Sequence, residues 1–255
     1  MKRRYFFIIP LLLQSCSLMY VPSVRSIPLL EEKGEFQGEA GTSLNSIYAN
    51  TAYAFTDHIA AAVSGNMSYK NFSNRYTLFT PQGQESAGEY AHRYAEASVG
   101  AINMLHSETP GKPILEIFGG MGMGRATAYR SIYGYRGSLY SDIDYKNDYY
   151  SFFAQGNFGL KHRIVEVGGS MRLAYSQFSC VAGDMFQTNF NVFFVEPMGF
   201  VRVGVKNLKF VHRVGFCLPM SNWGFEGEFE CTPYHMSIGI SYRIAGKTDK
   251  SKNNN

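Results

Sequence analysis

The sequence predicts an all-β chain folded as an antiparallel, up-and-down transmembrane β-barrel of about ten strands, with eight and twelve as the neighbouring counts. Three observations predict it. About ten segments alternate apolar residues with small or polar ones, each roughly as long as a bilayer-crossing strand. The stretch 163–178 is the clearest: Val165, Val167, Met171, Leu173 and Tyr175 point one way, and Glu166, Gly168, Ser170, Arg172, Ala174 and Ser176 the other. Side chains alternate faces along a strand, so one face can meet lipid and the other a polar interior. The connections also alternate between short and long, as expected when tight turns close one rim and loops the other. Finally, no run of 18 or more apolar residues exists, so no spanning helix is predicted.

The strands follow in order. Residues 35–42 set Phe36, Gly38 and Ala40 against Gln37 and Glu39, and 46–56 set Ile47, Ala49, Thr51, Tyr53 and Phe55 against Tyr48, Asn50 and Ala52. In 59–70, Ile59, Ala61, Val63 and Met67 face outward, with Ser64 and Asn66 inward. The fourth strand, 89–105, has the weakest contrast, with alanines opposite Tyr94, Glu96 and Ser98. The fifth, 113–127, is glycine-rich: Leu115, Ile117, Met121 and Met123 oppose Glu116, Gly120, Gly122 and Gly124. The sixth, 149–160, opposes Phe152, Ala154, Phe158 and Leu160 to Ser151, Gln155 and Asn157; the seventh is 163–178. The eighth, 190–205, opposes Val195, Val201, Val203 and Val205 to Glu196, Met198, Arg202 and Gly204. The ninth, 208–218, opposes Phe210, His212, Val214 and Phe216 to Val211, Arg213 and Gly215. The last, 234–244, opposes Met236, Ile238, Ile240, Tyr242 and Ile244 to Ser237, Gly239, Ser241 and Arg243.

Short turns are expected at 57–58, 161–162 and 206–207, with longer loops at 74–88, 129–147, 180–188 and 219–231. An even strand number puts both the N-terminus and the C-terminus on the short-turn, periplasmic side, where the lipid tether would start. The chain divides into a signal peptide (1–15), a tether (16–34), the barrel (35–245) and a polar, disordered tail (246–255). Lys2, Arg3 and Arg4 precede an apolar stretch too short to span a bilayer, the pattern of an export signal. Pro22 and Pro28 disfavour helix and ladder pairing in the tether. The formal charge is +4, of which the signal supplies three, leaving +1; nucleic acid, which calls for a concentrated basic surface, is not an expected partner.

Leu13-Gln14-Ser15-Cys16 resembles a bacterial lipoprotein cleavage box, in which Cys16 would become the lipid-modified first residue. Together with the Pro-containing tether and the closing alternation from Met236 to Ile244, it makes the chain look like small outer-membrane β-barrel lipoproteins of Bacteroidetes-type bacteria. The resemblance implies an outer-membrane location, and as partners the membrane lipid and the barrel-assembly and lipoprotein-sorting machineries. It implies no activity and no ligand.

The inward faces bring together Glu96, Glu116, Glu166 and Glu196 with Arg172, Arg202, Arg213 and Arg243. An unpaired buried charge is costly, so these predict an ion-paired lumen network. A polar plug is the first reading of that network and a narrow charge-lined channel the alternative. Gly120, Gly122 and Gly124 either leave space for a channel or allow close packing. The six histidines share no motif with a serine, and no HExxH, Ca²⁺-loop or phosphate-loop motif occurs, so neither an enzyme nor a metal or cofactor is expected. Cys217 and Cys231 flank the last loop, where a disulfide fits an oxidising compartment; Cys180 falls in another loop. Tyrosines between 129 and 150 suit either a partner-binding loop or a membrane-interface girdle. The expected role is structural or surface-interacting, with the channel and a lipid-tethered soluble β-domain as alternatives.

Overall fold

A computed structural model describes residues 20–44, 46–68, 86–103, 105, 112–133, 139–182, 186–205, 207–223 and 234–246. Regular structure among them consists of β1 (Phe36–Ser43), β2 (Ser46–Ala54), β3 (Ile59–Ser68), β4 (Ser86–Ala101), β5 (Lys112–Tyr133), β6 (Leu139–Lys161), β7 (Val165–Ala182), β8 (Phe186–Val205), β9 (Leu208–Phe216), β10 (Leu218–Trp223) and β11 (Tyr234–Ile244).

From β1 to β9 each strand pairs antiparallel with the next, β10 pairs with β8, and β11 pairs with β9 and returns to β1. β9 and β10 are two halves of one wall strand. β9 pairs with β8 from Val205 to Met198, and β10 continues up the same β8 from Val195 to Asn191. The break falls at Cys217, and a register shift follows between Pro219 and Ser221. Proline has no N–H to donate, so its place beside an irregularity is expected. The barrel therefore has ten wall positions and closes without a free edge along its paired length.

The alternation read from the sequence is the alternation of the wall. On β7, Val167, Met171 and Leu173 face outward, while Glu166, Arg172 and Ser176 are buried inside. Exposed apolar side chains ring the barrel, among them Val63, Met121, Phe158, Val203, Phe210 and Ile240. Along β7 the band runs from Val165 to Tyr175, about 25 Å tall at a rise of ~3.4 Å per residue and a tilt of ~40°. Exposed rings bound it: Tyr53, Phe55 and Tyr242 near the short turns, Tyr150 and Tyr234 toward the loops.

Several expectations are corrected. The segment 129–147 is not a loop: β5 runs to Tyr133 and β6 starts at Leu139. The β5–β6 pair thus rises well past the apolar band, where polar and tyrosine residues keep the strand period but lose its hydrophobic contrast. Likewise β7 and β8 extend to Ala182 and from Phe186, so Cys180 is a buried strand residue rather than a loop residue. Residues 219–223 are strand rather than the start of a loop.

The largest correction concerns the tether. Residues 20–34 do not hang below the barrel. They thread its lumen, with Tyr20, Val24, Arg25, Ile27, Leu29 and Leu30 all buried. Tyr20 stacks on Phe194 and meets Phe178 edge-on, in the loop half. Gln155 donates to the Ser26 carbonyl at mid-height, and the Leu30 amide reaches Glu116 lower down. Lys161, at the short-turn rim, bridges to Glu31 at 2.9 Å. Gly34, with φ 80°, then turns the chain into β1. The first described residue therefore lies in the loop half, not at the short-turn rim where an even strand count put it. A ten-stranded wall encloses more width than its own side chains fill, and an extended chain occupies the difference.

Candidate functional site

The lumen holds every charged group that the sequence singled out, in three layers. In the loop half, Tyr20, Tyr94, Tyr149, Phe178, Phe190 and Phe194 form a buried aromatic cluster. The glycines serve it. A Cβ at Gly122 would collide with the Tyr94 ring, one at Gly124 with Tyr149, and one at Gly120 with Phe153. Gly41 and Gly239 make the same room for Tyr48. The inward glycines of β5 are filled by aromatic rings from neighbouring strands and leave no channel along that wall.

Below lies the ion-pair layer. Arg172 grips Glu96 with both terminal nitrogens, at 2.7 and 2.8 Å, and donates from Nε to Gln155 at 3.0 Å. Arg172 lies beside Glu196 across the β7–β8 ladder, yet its guanidinium bonds Glu96 from β4. Glu166 collects three cations: Lys209 at 2.8 Å, Arg243 at 3.1 Å and Arg202 at 3.2 Å. Arg213 binds Glu39 through both terminal nitrogens, and Tyr48 donates to the same carboxylate at 3.0 Å. Bidentate, charge-assisted pairs of this kind are the strong ones.

Two of the expected acids are held by the N-terminal segment. Glu196 takes Arg25 at 3.4 Å and the Tyr20 hydroxyl at 3.0 Å. Glu116 accepts neutral donors, the Leu30 amide at 2.7 Å and Asn157 at 3.0 Å. The ion-pair network expected from the sequence left out Glu39, Lys209 and Arg25. Glu39 and Lys209 share the inward parity of residues that were named, so strand period alone could have found them. Arg25 could be suspected only from its company: Val24, Ile27, Leu29 and Leu30 are too apolar for a solvated tether.

The third layer, an apolar collar, lies between the Arg172–Glu96 pair and the Glu166 cluster at the short-turn rim. Ile27 and Leu29 pack with Ile114, Met198 and Phe200, and Leu30 packs with Ile102 and Phe118. Beside it a cavity of about 410 Å³, lined by Glu35, Lys161, Glu166, Lys209 and Arg243 among others, opens at the short-turn rim.

Cys217 is buried, with Sγ 3.7 Å from Glu196 Oε1; Cys231, its suggested partner, lies outside the described residues, as does Cys16. Of the tyrosine stretch, Tyr149 belongs to the interior cluster and Tyr150 to the outer girdle, and the side chains from 128 to 145 lie outside the described set. Among the described residues no group of His, Cys, Asp and Glu is placed to hold a metal ion. No family model and no curated protein matches the sequence.

Proposed function

We propose that this chain is an outer-membrane β-barrel lipoprotein with a filled lumen and a structural or surface-interaction role. One observation carries the reading: the wall is apolar outside and charged inside, and exposed tyrosines bound the apolar band at both ends. A water-soluble barrel would bury the apolar face and solvate Glu116, Glu166, Arg172 and Arg202. Lipid inverts that preference, and aromatic girdles suit the two interfaces. The short-turn rim would face the periplasm.

The test is electrophoresis of membrane and soluble fractions in dodecyl sulfate, heated and unheated, from wild type and Cys16→Ala. Retention in the alkali-washed membrane with a heat-dependent mobility shift is expected of both. Palmitate label is expected on the wild type alone. Release of unshifted Cys16→Ala into the soluble fraction would instead identify a lipid-tethered soluble domain.

A further inference from the structure

We propose that residues 20–34 are an occluding segment, and that the barrel conducts small hydrated ions when the segment is out of the lumen. The proposal rests on the barrel lying in a membrane. It extends that reading by assigning the closed state to one removable part of the chain.

The wall does not depend on the segment for closure. Every ladder that closes the ring joins two wall strands. Most wall charges are also satisfied within the wall: Arg172 by Glu96, Arg213 by Glu39, and Lys209, Arg202 and Arg243 by Glu166. Emptying the lumen would take Arg25 and Tyr20 from Glu196 and the Leu30 amide from Glu116; Glu96, Arg172, Arg202, Arg243 and Lys161 would each lose one segment contact but keep a wall partner, and water entering the aperture can solvate all of them. Among the described residues, acids (Glu35 and Glu39 with the four expected) and bases (Lys161 and Lys209 with the four expected) would then line the lumen and its mouth in balance, which favours conduction of both ion signs with weak selectivity.

The wall is nevertheless shaped to receive this segment. Arg202 and Arg243 donate to the Ile27 and Pro28 carbonyls, the second at 2.9 Å. These contacts satisfy backbone that would otherwise be buried without partners. Leu29 holds a left-handed backbone, φ 52°, uncommon for a branched side chain. Its methyl groups lie over Gly159, where a Cβ would overlap them. A residue stays in such a conformation when its surroundings over-determine it. Segment and wall thus fit as guest and socket, joined covalently at the Gly34 turn. The charged cavity at that rim lies beside the segment's exit and forms an aqueous vestibule.

The experiment is single-channel recording in planar lipid bilayers with potassium chloride as the probe. Full-length protein, a deletion of residues 20–33, and full-length Leu29→Asp/Leu30→Asp are compared, each first checked for the heat-dependent mobility shift. The double substitution loosens the collar's grip while keeping every wall residue. The expected result is a silent wild type and discrete conductance steps from either altered protein. Heat-shifted variants that stay silent would overturn the proposal while leaving the membrane-barrel reading intact, and so would a wild type that conducts as readily as the deletion. Absence of any heat shift from wild type would instead defeat the reading on which the proposal rests.

Discussion

The outer face and the lumen are built from the same strands, residue by residue in alternation, yet they obey opposite rules. Outside, Val167 and Met171 are left exposed; one residue along, Glu166 and Arg172 are sealed from solvent. The outer face needs only to be apolar, so neighbouring side chains there are interchangeable. The lumen needs every charge answered, so each member of the ion-pair network has a particular partner, often from a distant strand. The contrast teaches that the two faces should differ sharply in their tolerance of substitution.

The largest expected effect is inside. Arg172→Ala removes the cation that grips Glu96 in a buried bidentate pair. Leaving one charge of such a pair unanswered costs about 3–5 kcal/mol. A urea titration of protein folded into lipid vesicles should show that loss. A midpoint unchanged from wild type would mean that the lumen is solvated and that the contrast between faces is false. Next comes Gly122→Ala, which drives a methyl into the Tyr94 ring. Overpacking of this kind costs about 1–3 kcal/mol, and the same titration should register it. The smallest effect belongs above the band, where Asp148 pairs with Arg125 and Lys146 on half-exposed side chains. Solvent screens such pairs, so Asp148→Ala should leave the unfolding midpoint within experimental scatter. A large shift there would show that the projecting part of β6 is more tightly packed than its exposure indicates.

What could be read in the sequence follows the same division. The outer face was legible because it is apolar at every second residue, and the period of two carried parity from β1 to β11. Glu166 and Arg202 could be placed inside by that parity alone. Parity could not pair them across the lumen, because Arg172 bypasses its ladder neighbour Glu196 for Glu96 on β4. Strand ends were missed where that pattern lapses. Above the band the apolar alternation ends, so β5 and β6 continue as polar and tyrosine-rich strand and read as loop. The lumen-threading segment was illegible for a deeper reason. An extended chain with Pro22 and Pro28 has no period to betray it, and its place depends on a cavity that exists only once the ring has closed. Its one local sign was hydrophobicity, in Val24, Ile27, Leu29 and Leu30.

The central claim is that the outer face meets lipid, and Met171→Arg tests it most directly. Met171 sits midway up the band on β7 and is 49 % exposed. The measurement is the unfolding free energy of wild type and Met171→Arg in lipid vesicles. An arginine at the lipid-facing midplane of a barrel costs about 2–4 kcal/mol, and the account predicts a loss in that range. A difference within ~0.5 kcal/mol, as expected of an exposed position in water, would contradict it.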